Sequence, residues 1–191
     1  MADTSQPTVF DYATGTQWRL TFNRIPKTTW FCVAANVPGI QLGEASYPTP
    51  MTDMFVTGDK LTFETLNITF LVDEELQNYR EIWDWLVGIG APKKHSQWTS
   101  ILSKGDGAVR TFATPDADTR TKATYDESNL YSDSTLIVYS SKNQPKVNIH
   151  FKNMFPTNLS SLEYSQELTD VEYFKATASF RYLYYEFETV T

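Results

Sequence analysis

Two histidines (His95 and His150), one cysteine (Cys32) and the acidic run Asp73-Glu74-Glu75 are the residues of this chain best suited to chemistry. A metal centre needs two to four convergent ligands. His95 and His150 lie in different contexts, and His150 has no carboxylate at a ligand-like offset; both read as surface or hydrogen-bonded histidines. Cys32 stands between Phe31 and Val33 in an apolar run, the setting of a buried, inert thiol rather than an activated nucleophile. The three acids precede an amphipathic run, where helix capping and the helix dipole account for them. The "GDG" at 105–107 lacks the lysine and the following apolar helix of a phosphate loop. Trp83 and Trp85 point apart at helical spacing, so they make no flat sugar platform, and Trp83 reads as core. No convergent acid, base, nucleophile or metal set emerges. The expectation is a non-enzymatic protein without cofactor or metal.

The elements that would position such residues come next. At 191 residues, 41% apolar and 15% aromatic, the chain has the length and core-forming content of a single domain over 1–191. Its formal charge of −7 runs against nucleic-acid gripping, which gathers Lys and Arg to neutralise phosphates. No apolar run approaches the roughly 18 residues of a membrane-spanning helix, so no membrane partner is expected. The start, "MADTSQPTVFDY", has neither the basic opening nor the apolar middle of a signal peptide. With a single cysteine, it suggests assembly in a cytoplasm-like compartment.

Period-two alternation marks "WRLTFNR" (18–24) as a strand, and the aromatic and β-branched "TTWFCVAANV" (28–37) as a second, closed by Pro38-Gly39. "KLTFETLNITFLV" (60–72) reads as one long strand with Leu66, Ile68, Phe70 and Val72 on one face. A helix follows, capped by Asp73, with Leu76, Tyr79, Trp83 and Leu86 as its buried stripe and Gly88, Gly90 and Pro92 as its stop. "STLIVYS" and "KVNIHFKNM" form a hairpin around "SKNQP". The final strand, 171–188, places Phe174, Ala176, Ala178, Phe180, Tyr182 and Tyr184 on one face and Lys175, Thr177, Ser179 and Arg181 on the other. The fold class is therefore mainly β: an antiparallel sandwich or open barrel with one flanking α-helix and a long extended arm. An N-terminal arm (1–17) and a polar insertion (93–133) complete it.

Two segments look built for assembly. Residues 40–58 form a long arm or open hairpin whose Tyr47, Met51, Met54, Phe55 and Val56 have no evident local core, and exposed apolar patches ask for a partner. In "NMFPTNLSSLEYS" (153–165) there is only one acid and no His or Cys, yet Phe155-Pro156 stops the preceding strand and sets a rigid corner.

The ordered set of "VPGI" (37–40), "GDKLTFETLNITFLVDEELQNYREIWDWL" (58–86) and "FKNMFPTNLSSLEYS" (151–165) resembles the tube proteins of contractile-tailed bacteriophages, T-even-like tube and tube-like baseplate proteins included. The resemblance implies hexameric rings stacked into an inner tail tube, with tail sheath and baseplate proteins as partners. It implies a virion location, assembly in the host cytoplasm and a channel through which DNA passes without specific binding. A ring of six would carry about −42 formal charges, and a neutral-to-acidic lining would hold DNA off the wall. Glu64 is a candidate lumen residue. The corner at Phe155 and Pro156 would fix the strand angles that ring closure needs. A baseplate, initiator or terminal ring of the same fold is the alternative within this class. From another class comes a monomeric β-sandwich binding module using Trp98 and Tyr125.

Overall fold

The computed structural model describes residues 12–93, 130–165 and 173–190. The proposed roles of residues 1–11 and 94–129, among them His95, Trp98, the 105–107 loop and Tyr125, lie outside the described residues. The fold is mainly β and antiparallel, as the alternation predicts. In chain order the elements are β1 (Trp18–Phe22), α1 (Pro26–Phe31), β2 (Cys32–Ala35), β3 (Ile40–Pro48), β4 (Asp53–Phe63), β5 (Leu66–Leu71), α2 (Gln77–Gly90), β6 (Ser132–Tyr139), β7 (Pro145–Leu159), β8 (Lys175–Arg181) and β9 (Tyr184–Thr189).

The body is one sheet in the order β1-β6-β7-β8-β5-β2, with β9 also paired to β7; β3 and β4 form a separate ribbon. A single core lies inside it. Leu20 and Phe22 of β1, Leu66, Ile68 and Phe70 of β5, Ile149 and Phe151 of β7, and Ala176, Ala178 and Phe180 of β8 are all buried, as strict alternation places them.

Four expectations are corrected. Residues 28–31 of the expected 28–37 strand belong instead to a helix, Pro26–Phe31. Pro26 opens it with a φ already suited to the first helical position, and its threonines are then held by tertiary contacts. Thr29 Oγ1 accepts the Phe22 N–H at 3.2 Å, and Thr28 Oγ1 donates to the Asn78 carbonyl at 3.4 Å. The described residues therefore hold two helices rather than one. The long strand at 60–72 is two strands. The chain leaves the ribbon at Phe63 and enters the body at Leu66, so only the second piece buries its apolar face.

The final strand also divides, at Tyr182-Leu183, which shifts the alternation. Tyr182 is buried, Tyr184 is exposed, and Tyr185 takes the inner position against Phe63 and Phe151. Finally, Phe155-Pro156 does not stop β7, which runs through both residues to Leu159. The chain bends there without ending. Up to Met154 it pairs with β6, and from Phe155 onward it pairs with β8, with a bulge between Pro156 and Asn158 that tolerates the missing proline N–H.

Candidate subunit interface

Among the described residues, the hydrogen bonds that tie the β3–β4 ribbon to the body lie at its neck. Asn36 Nδ2 donates to the Thr65 carbonyl at 3.1 Å, and Asn36 Oδ1 accepts the Asn67 N–H at 2.6 Å. Tyr185 Oη donates to the Pro38 carbonyl at 3.1 Å, and Arg181 donates to the Phe63 carbonyl at 3.3 Å. Glu64 lies in this neck. Its Oε2 accepts the Gly39 N–H at 3.3 Å and its own N–H donates to the Gly39 carbonyl at 3.0 Å, so the carboxylate helps close the ribbon's base.

Beyond the neck the ribbon projects with both faces open. Its register sets Tyr47 opposite Met54, Ala45 opposite Val56 and Ser46 opposite Phe55. By alternation Ala45, Tyr47, Met54 and Val56 share one apolar face, while Phe55 stands on the other among Glu44, Ser46, Asp53 and Thr57. All are exposed, and Met51 at the tip is 95% exposed. Ile40, Leu42 and Leu61 extend the exposed apolar surface toward the neck; the 40–58 reading missed Leu61 because it stopped before β4 ends. A two-stranded ribbon alone is at best marginally stable in water. Across the strands Gly43 and Gly58 meet at a register shift, and a Cβ on Gly58 would sit 2.5 Å from the Gly43 carbonyl oxygen. Only glycine permits that approach.

Helix α2 docks differently from the sequence reading. Its N-cap is Leu76 in the left-handed region at φ 56°, and its first turn holds no acid. Asp73 instead closes a turn, its carbonyl accepting the Leu76 N–H at 2.9 Å. The buried Asn78 organises this junction. Its Nδ2 donates to the Leu71 carbonyl at 2.7 Å, and its Oδ1 accepts the Asp73 N–H at 3.2 Å. The buried face is Asn78, Ile82, Trp85 and Gly88, spaced i, i+4, i+7 and i+10. Trp83 as core is therefore a correction: it is 49% exposed, and Trp85 at 2% is the core tryptophan. One residue is about 100° around a helix, enough to turn a side chain from core to surface. Trp85 Nε1 also donates to the Leu130 carbonyl at 2.9 Å, a tether no periodicity reveals. Tyr79 and Leu86 are half-buried against the core, and the Leu76 cap residue is half-buried at the helix start. Tyr79 Oη donates to the Ser160 carbonyl at 2.9 Å, docking α2 onto the end of β7. Gly88 and Gly90 lie within the helix, which ends at Ala91.

Between α2 and the end of β7 lies an open groove of ≈ 430 Å³, lined by Tyr79, Trp83, Leu86, Val87, Pro92 and Leu159 among others. The chemistry-bearing residues are quiet. Burial pushes the Cys32 thiol up to about 12, partly opposed by a backbone hydrogen bond from Ala34, so it stays protonated. His150 is held between Thr135 Oγ1 at 3.0 Å and Glu188 Oε2 at 2.9 Å across three strands. The Glu188 partner comes from β9, which spacing within β7 cannot reveal. Among the described residues no group of three or more His, Cys, Asp or Glu could hold a metal ion, and no helix is long and apolar enough to cross a membrane.

No protein-family model matches the sequence, and no curated protein matches it. Solved structures do. The chain is similar to one from the anti-feeding prophage cap, the AFP tube-terminating cap, with a TM-score of 0.52 and 14% identity over 100% of both chains. It is also similar to one from the PVC extracellular contractile injection system's sheath/tube terminator in the extended state, with a TM-score of 0.51 and 8% identity over 94% of this chain and 99% of that one. A third, from the sheath–tube complex of that system, has a TM-score of 0.50 and 13% identity over 100% of both chains. The fold is one found in these contractile-injection-system assemblies.

Proposed function

We propose that the chain is a structural subunit of the inner tube of a contractile tail, phage or phage-like, in which copies close into rings that stack around a channel. The observation that carries this reading is the β3–β4 ribbon: a long projection with one apolar face, Phe55 on the other and Met51 at its tip, all exposed among the described residues. Such a surface is stabilised only by a partner, and tube assembly supplies one from identical neighbours. The tube-like fold supports the same reading. Hexameric closure, sheath and baseplate as neighbours, and DNA passing without specific binding follow as parts of it. The −7 charge of each chain favours release of a polyanion over capture. A terminal ring of the same tube is the second reading, favoured by the likeness to chains from two assemblies described as tube terminators. Electron microscopy of the purified protein tests assembly. Copy number in purified particles separates the readings: many rings for a tube subunit, one for a terminal ring.

A further inference from the structure

We propose that the ribbon tip of one copy, Met51 foremost, seats in the groove between α2 and β7 of a second copy. This deepens the tube reading and rests on it. The two surfaces are separate patches of one molecule, and among the described residues nothing fills either. The tip does not fill its own groove, because Met51 is almost wholly exposed. The groove is aromatic and irregular, with Trp83 and Tyr79 on one wall and Leu159 on the other. An unbranched thioether suits such a gap and gains from sulfur–aromatic contact. Pro48 and Pro50 precede Met51 and restrict the backbone leading into the tip, which lowers the ordering cost of insertion.

The charges also correspond. Asp53 follows Met51 by two residues at the tip, while Arg80 stands next to the groove residue Tyr79 in the first turns of α2. Arg80 is largely exposed and pairs with Asp84 at 3.8 Å, a loose bridge that an incoming carboxylate can share. Asn158 adds a side-chain amide to the lining, able to bond the backbone of an inserted turn. A patch that fits a different patch of its own kind makes a heterologous contact, which repeats into closed rings or open stacks.

The test is site-directed crosslinking in a Cys32→Ser background. One chain carries Met51→Cys. The other carries Gly90→Cys, a groove position where a new Cβ meets nothing within 4 Å. The two are co-assembled, imaged and treated with a short bismaleimide. Crosslinked dimer should exceed that from either variant alone by about tenfold, because seating holds the two thiols at high effective concentration. Met51→Asp should block assembly while leaving the melting temperature of the chain unchanged. Assembled particles without excess crosslinking would overturn the seating and leave the tube reading standing. Particles forming normally from Met51→Asp would overturn it too. Absence of any assembled particle would overturn both.

Discussion

The Asp133 Oδ1 accepts the backbone N–H of Asn153 at 3.0 Å, across the bend where β7 changes neighbours. Its other oxygen accepts Lys152 Nζ at 2.8 Å. Asn153 sits at φ 52°, a left-handed conformation, at the extra residue between the Ser134–Phe151 and Ser132–Met154 pairs. One carboxylate thus holds the strand's kink from the facing strand. This, more than Pro156, is the corner device. Asp133→Ala should destabilise the chain by about 1–2 kcal/mol in urea unfolding, with half-exposure keeping the cost low. Asn153→Gly should be neutral or slightly stabilising, because glycine adopts that φ freely.

The Lys152 pKa is raised, first by its hydrogen bond to Asp133 and then by that carboxylate's charge. A raised folded pKa gives stability that is fully present below the unfolded value and is lost as pH rises through the folded one. The stability difference between wild type and Lys152→Met should therefore be flat near neutrality and shrink above the ordinary lysine value of 10.5.

The two neighbouring tryptophans of α2 should behave oppositely. Trp85→Ala removes a core ring packed on Phe180 and a tether to Leu130, and should cost about 3–5 kcal/mol in chemical denaturation. Trp83→Ala should cost under about 1 kcal/mol, since half its surface is already in water.

How much was legible follows from these same residues. Alternation placed Leu66, Ile68, Phe70, Ala176, Ala178 and Phe180 on the buried face because each strand is covered on one side. The β6–β7 hairpin was legible from its turn residues. Sequence periodicity could not fix the helical phase, because Tyr79, Trp83 and Leu86 make as good a stripe as Ile82, Trp85 and Ile89. Tertiary contacts choose between them. Strand ends were lost where the chain changes partners without a turn signal: at Glu64-Thr65, where it leaves the ribbon for the body, and at Tyr182-Leu183, between β8 and β9. The ribbon's apolar residues were found because they lacked a local core, which composition shows without topology. The Asp133 clamp and the Glu188 partner of His150 depend on which strands become neighbours, and that is not a local property.

Glu188 has a lowered pKa, first through its hydrogen bond to His150, then through that to Asn148 and the His150 charge. A depressed carboxylate contributes stability above its ordinary value of 4.5, lost as pH falls through the folded value. Glu188→Gln should flatten this acid-side loss. It should also speed amide exchange in β9, whose only described strand partner is β7. Hydrogen exchange followed against pH checks both.

The close approach of Gly43 and Gly58 at the ribbon's register shift should matter for assembly rather than for folding. Gly58→Ala forces its Cβ into the Gly43 carbonyl, yet touches nothing in the core. Thermal unfolding should shift by less than about 0.5 kcal/mol equivalent, while the assembled fraction in sedimentation falls sharply. A large loss of folding stability would show that the ribbon supports the body.

The central claim is that copies of this chain cover one another through the β3–β4 ribbon. Cryo-electron microscopy of the purified, concentrated protein tests it most directly. The account predicts closed rings or stacked tubes in which Tyr47, Met51, Met54, Phe55 and Val56 are buried against a neighbouring copy. Monodisperse single chains with the ribbon bare, or rings whose ribbons touch only solvent, would contradict it.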